Sequence, residues 1–144
     1  MKQFTIVLSL IALMLALGCW NDTSTGPAAG ETTSSNPNGD SELALLMREI
    51  HEDAKVLRQK VVTQDDNIGD YPDYLAQLPT ATPTKPEVSG ELYNRHSSRY
   101  QKAMTGLYRS FDKSNYNHVI STCLHCHQEF CPGPIPTIKK LILD

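Results

Sequence analysis

Residues 41–63, SELALLMREIHEDAKVLRQKVVT, decide the fold. Leu43, Met47, Ile50, Ala54, Leu57 and Val61 recur at alternating spacings of four and three, which places them on one stripe of an α-helix. Arg48, Glu52, Lys55 and Arg58 fall on the opposite, polar face. Asp40 or Ser41 offers an oxygen to the unbonded amides of the first turn, and Glu42 sits at the positive end of the helix dipole. The pattern predicts a helix that stops near Thr63, before Gln64-Asp65-Asp66-Asn67. An amphipathic helix of this kind needs partners to cover its stripe, so the rest of the chain is read for them.

Residues 65–88 cannot supply a long one. Gly69, Pro72, Pro79, Pro83 and Pro86 interrupt any regular element, leaving at most a short helix over residues 73–77. Tyr71, Tyr74, Leu75 and Leu78 are the residues able to pack this segment against a core. A second helix is expected over residues 89–112, with Leu92, His96, Tyr100, Ala103, Leu107 and Phe111 on its inner face and Tyr93 and Met104 beside it. A third begins at Ser114 or Asn115, carries Val119 and Ile120, and stops at Cys131-Pro132-Gly133-Pro134. The apolar tail, residues 135–143, forms one last helical piece. No alternating strand pattern occurs. The expectation is an all-α fold, a helical bundle of three to four helices.

The chemistry of the chain is concentrated on the last long helix. Cys123-Leu124-His125-Cys126-His127 is a CxxCH sequence, the attachment signature of c-type haem. Thiols three residues apart lie on one side of a helical turn and reach the two vinyl groups along one porphyrin edge. The adjacent His127 then offers its imidazole to the iron as an axial ligand. One covalent haem c, held through Cys123 and Cys126, is therefore the expected cofactor, with the motif on the C-terminal helix. Three other readings compete. A CxxC can be a redox dithiol, although that normally comes with βαβ surroundings. Cys123, Cys126, Cys131 and a histidine can hold zinc. The same cysteines can form structural disulfides.

A helical domain whose late helix carries CxxCH, with Phe130 three residues after the histidine, resembles the cytochrome c-prime and cytochrome c-556 group of four-helix cytochromes. The resemblance covers residues 41–131. It implies a four-helix bundle enclosing one haem. The chain departs from the pattern in two places: the second helix has no counterpart in the Pro-rich segment, and Cys131 stands where a basic residue usually follows the Phe. The resemblance also implies that Met47 on the first helix is the sixth iron ligand. A methionine opposite a histidine stabilises ferrous iron and raises the potential. Otherwise Met47 is a core filler. Met104, His51 and His96 are further candidates for the sixth position. His118 precedes the motif on its own helix and is not placed to reach across a ring, and His125, between the thiols, is expected to face outward. Cys131 is the odd thiol, either buried and inert or bridging two chains into a homodimer.

The N-terminus sets the compartment. Met1-Lys2 and the apolar run from Phe4 to Leu17 have the layout of a secretory signal, and the run is short of the roughly twenty residues of a spanning helix. Leu15-Ala16-Leu17-Gly18-Cys19 resembles a bacterial lipobox, which implies acylation of Cys19 after cleavage before it. The organisation expected is a signal peptide at 1–18, a lipidated flexible tether at 19–40, rich in Thr, Ser, Gly, Pro and Asn, and a helical c-type haem domain at 41–144. The protein is placed at the bacterial cell envelope, exported, membrane-held through lipid on Cys19 and facing the periplasm or the outer surface.

The chain of 144 residues carries 13 basic and 16 acidic side chains, a net charge of −3, with no basic block that would suggest nucleic acid. No acid/base pair or nucleophile constellation marks an enzyme. Two functions follow as expectations. One is a monohaem one-electron carrier that docks transiently on redox partner proteins. The other is a gas-binding haem protein of the c-prime type, its distal wall made by Leu43, Leu46, Met47 and Ile50. A non-haem metal or structural lipoprotein is the third reading.

Overall fold

The computed structural model describes residues 40–144, and the elements there follow the sequence pattern closely. Helix α1 spans Glu42–Thr63, a five-residue 3-10 turn spans Asp73–Gln77, α2 spans Gly90–Arg109, α3 spans Lys113–Phe130 and the short α4 spans Ile135–Lys139. The described residues form an all-α bundle of four helices without strands. The expected signal peptide and most of the tether, including Cys19, lie outside the described residues. Asp40, expected as the last tether residue, is already held to the bundle. It accepts two hydrogen bonds from the Arg48 guanidinium at 2.6 and 2.7 Å.

Local chemistry sets the helix ends. The Ser41 hydroxyl accepts from the Ala44 amide at 3.1 Å, which caps α1 as its sequence suggests. At the other end Gln64 turns left-handed at φ 55°, and its amide donates to the Lys60 and Val61 carbonyls. Helix α2 stops at Arg109, short of the expected Asp112. The reason is the next helix: the Asp112 carboxylate accepts from the Asn115 amide at 2.8 Å and serves as the cap of α3.

Each inner face differs from its expected stripe. On α1 Leu46 joins Leu43, Ile50, Ala54 and Leu57 in the core, while Met47 and Val61 are only half-buried. On α2 Tyr100, Ala103 and Leu107 are buried as expected, and the departure is confined to the first turns. Leu92 is 39% exposed, whereas Tyr93 is 4% exposed and Ser97 is buried. The larger Tyr93 ring packs edge-on against Phe130, and its hydroxyl donates to the Leu78 carbonyl at 2.6 Å. That combination of buried area and a satisfied polar tip outweighs the smaller gain from Leu92.

The Pro-rich segment replaces a helix by anchoring itself at separate points. Leu75 and Leu78 are buried in the core, and the Gln101 amide donates to the Leu75 carbonyl at 2.7 Å. The Tyr74 hydroxyl donates to Asp53 on α1. Further along, the Thr82 amide donates to the Glu42 carboxylate and the Thr82 carbonyl accepts from the Leu43 amide, tying the segment to the start of α1. Helix α3 is the centre of the arrangement. It packs along α2 and also touches α1 and α4. Tyr116, fully buried, points its hydroxyl at both the Ala54 carbonyl of α1 and the Leu141 carbonyl of the tail, at 3.1 and 3.2 Å. No described helix is long and apolar enough to cross a membrane.

Candidate functional site

Helix α3 delivers Cys123, Cys126 and His127 to one place because residues three and four apart share a helical face. All three line a cavity of about 40 Å³ between α1, α2, α3 and the Pro-rich segment. Met47 and Ile50 of α1, Leu78 of the segment, and Tyr93, His96, Ser97 and Tyr100 of α2 complete most of the wall. The expected ligand Met47 is thus on the same cavity as His127, although the two are 80 positions apart in the chain.

The sixth-position candidates separate here. Met104 is 1% exposed in the core and does not line the cavity, so its burial assigns it to packing. His51 is half-buried on α1 and lies outside the wall, and His118 is exposed on α3. His96 does line the cavity, with its ring edge-on to Phe130 at 5.8 Å between centroids. Burial among these neighbours, with the Arg99 charge nearby, holds its imidazole below the ordinary histidine range. His125 faces outward, as its place between the thiols suggests. Of the distal wall expected for a gas-binding site, Met47 and Ile50 line the cavity. Leu43 and Leu46 are buried in the core away from it.

The orientation of His127 is set by the end of its helix. Proline disfavours the α region for the residue before it, and Cys131, ahead of Pro132, leaves the helix at φ −147° and ψ 75°. The Cys131 carbonyl is thereby freed from the helical direction and lies 3.0 Å from His127 Nδ1. A carbonyl only accepts, so Nδ1 is the donor, and the neutral tautomer with this bond has its lone pair on Nε2. This is the arrangement by which metal-binding histidines are oriented, the second nitrogen donating to a backbone carbonyl. The Cys131-Pro132 dipeptide carried the signal for it, where the sequence reading saw only a helix stop.

Both thiols of the motif sit in surroundings that disfavour the thiolate. Burial pushes Cys123 up to about 12, and burial together with the neighbouring Cys131 pushes Cys126 up to about 11. A reactive dithiol needs a thiolate stabilised by positive surroundings, and this mainly apolar cavity does not provide them. Cys123, Cys126 and Cys131 are free thiols, and although Cys123, Cys126 and His127 share the cavity wall, no three His, Cys, Asp or Glu side chains among the described residues lie close enough together to hold one metal ion. Tyr93, on the same wall, is likewise raised to about 12 by burial. The cavity thus has mainly apolar walls, with two buried thiols and an imidazole on its α3 side.

No protein-family model, curated protein or solved structure matches the chain.

Proposed function

We propose that this protein is a monohaem c-type cytochrome that carries single electrons at the cell envelope, with Cys123 and Cys126 as the thioether positions, His127 as an axial ligand and Met47 as the sixth ligand. The observation that carries the reading is the meeting of four residues on one apolar cavity: two thiols, a histidine whose Nδ1 is committed to a backbone carbonyl, and a methionine from the opposite helix. When bound, the haem supplies a one-electron ferric/ferrous couple. The chain's own part is to exclude water, to hold the His127 ring by the Cys131 carbonyl, and to present the Met47 thioether, a soft donor that favours the reduced iron.

The cavity volume of about 40 Å³ has room for about three waters, so a porphyrin enters only if part of the wall moves outward. The wall element with the least regular hydrogen bonding is the Pro-rich segment that carries Leu78. Acylation of Cys19 would keep the domain at a membrane surface. A single acyl chain binds only reversibly, whereas two or more anchor firmly.

The test is a pyridine haemochrome assay and an oxidised-minus-reduced spectrum of protein matured with the haem-attachment machinery. One haem per chain and a low-spin spectrum are expected, with Met47→Ala converting the spectrum to high-spin. Colourless protein would sink the reading. An unchanged Met47→Ala spectrum would remove Met47 from it and leave His96, on the same wall, as the ligand to test next. Gas binding is the second reading, favoured by the apolar Ile50 and Leu78 beside Met47. A five-coordinate ferrous spectrum that shifts on adding carbon monoxide to the unmutated protein would select it over electron transfer.

A further inference from the structure

One face of α2 is basic in a chain that is acidic as a whole. Arg95, Arg99, Lys102 and Arg109 are all exposed, and their spacings of four, three and seven put them on a single helical stripe. From the first to the last the stripe runs ~21 Å, at the helical rise of about 1.5 Å per residue. The only acidic residue of α2 is Glu91, which stands 3.8 Å from Arg95. Arg99, Lys102 and Arg109 have no ion-pair partner among the described residues. By contrast the Pro-rich segment before α2 carries Asp65, Asp66, Asp70, Asp73 and Glu87 against the single Lys85. The charge is therefore sorted by element, although the net charge of the whole chain is −3.

The stripe lies close to the candidate site. Arg99 follows His96 by three residues, and the Arg95 and Arg99 charges both act on the His96 imidazole, which lines the cavity. A ligand held on the outer face of α2 is separated from the cavity by the thickness of one helix. Leu92, 39% exposed one turn before Arg95, is the single large apolar side chain of α2 on this face, well short of the apolar stripe that amphipathic helices insert between lipids. A row of cations with one apolar side chain at its end fits a reversible electrostatic encounter, in which charge speeds docking more than it strengthens it.

We infer that the Arg95–Arg99–Lys102–Arg109 face of α2 is the docking surface for an acidic one-electron partner protein. This rests on the cytochrome reading above. The reaction it serves moves one electron from the reduced partner to the ferric haem, and no proton or covalent bond changes hands.

The test uses mature, haem-loaded protein and a plant-type [2Fe–2S] ferredoxin as the acidic reductant, whose low potential makes the transfer downhill. The second-order rate constant is followed by stopped flow from low to high ionic strength. The unmutated protein should react more slowly as salt rises. Arg99→Glu with Lys102→Glu should slow the low-salt reaction by about tenfold or more beyond what any measured change in midpoint potential accounts for, with the difference vanishing at high salt. Lys55→Glu with Lys139→Glu makes the same change in net charge on exposed positions of α1 and α4, and should alter the rate less than about twofold if location matters. Equal losses in the two double variants, or a salt-independent rate, would overturn the docking face. So would a result in which the α2 variant detaches unacylated protein from phosphatidylglycerol vesicles but reacts with ferredoxin as before. That outcome would assign the stripe to lipid. Haem-free material in the haemochrome assay overturns both proposals, whereas haem-loaded protein with stripe-independent rates overturns the docking face alone.

Discussion

Replacing Tyr116 by Phe probes the joint on which the bundle is built. Phenylalanine keeps the buried ring and removes one oxygen, so the change leaves almost no void and isolates the hydroxyl. That hydroxyl stands between the Ala54 carbonyl of α1 and the Leu141 carbonyl of the tail, at 3.1 and 3.2 Å. The Ala54 carbonyl retains its bond within the helix, so it loses a second partner. Leu141 lies beyond the last helix, where its carbonyl depends more on Tyr116. A lost hydrogen bond costs about 0.5–1.5 kcal/mol, and a buried carbonyl left without a partner raises the total to about 2 kcal/mol. For a domain near this size each kcal/mol lowers Tm by about 4–8 °C, so a fall of about 8–16 °C is expected. Thermal unfolding of the mature, haem-loaded protein by far-ultraviolet circular dichroism measures it. A Tm within about 2 °C of the unmutated protein would show that α1, α3 and the tail are held together without this hydroxyl, and would refute the argument.

Three further outcomes follow from local features. Gln64→Gly should stabilise the protein by up to about 1 kcal/mol in urea titrations, because φ 55° costs a side chain more than it costs glycine. Asp112→Ala should destabilise it by about 0.5–2 kcal/mol through loss of the α3 cap. The bonds from Asn115 and Ser110 also hold the Asp112 carboxyl below its ordinary 3.8, so this residue's stabilisation is present above pH 3.8 and disappears as pH falls further. Acid titration of the Asp112→Ala variant should therefore lack that part of the slope. At the alkaline end burial raises Tyr100 and Tyr116 above 10, so the unfolded chain loses those protons first. Stability should fall as pH climbs past 10, and the fall should be shallower in Tyr116→Phe; equal slopes in the two proteins would contradict the assignment to Tyr116.

The amino-acid sequence by itself determined whatever depends on neighbours along the chain. The three- and four-residue spacing of Leu43 through Leu57 specifies α1, Ser41 specifies its start, and the prolines of 65–88 exclude a long helix there. The CxxCH spacing already places Cys123, Cys126 and His127 on one side of α3, since that is a property of a single helical turn. The tertiary structure decided which way each face points. Adjacent residues stand about 100° apart on a helix, and where a stripe is broad its partners choose which of two neighbours is buried at its edge. Tyr93 turned inward and Leu92 outward because Phe130 and the Leu78 carbonyl, both remote in sequence, offer Tyr93 a ring contact and an acceptor. The same packing brought Met47 and His96 to the cavity and kept Met104 and Leu46 in the core. No spacing within one helix encodes that choice, because the contacts that stabilise it lie between residues tens of positions apart.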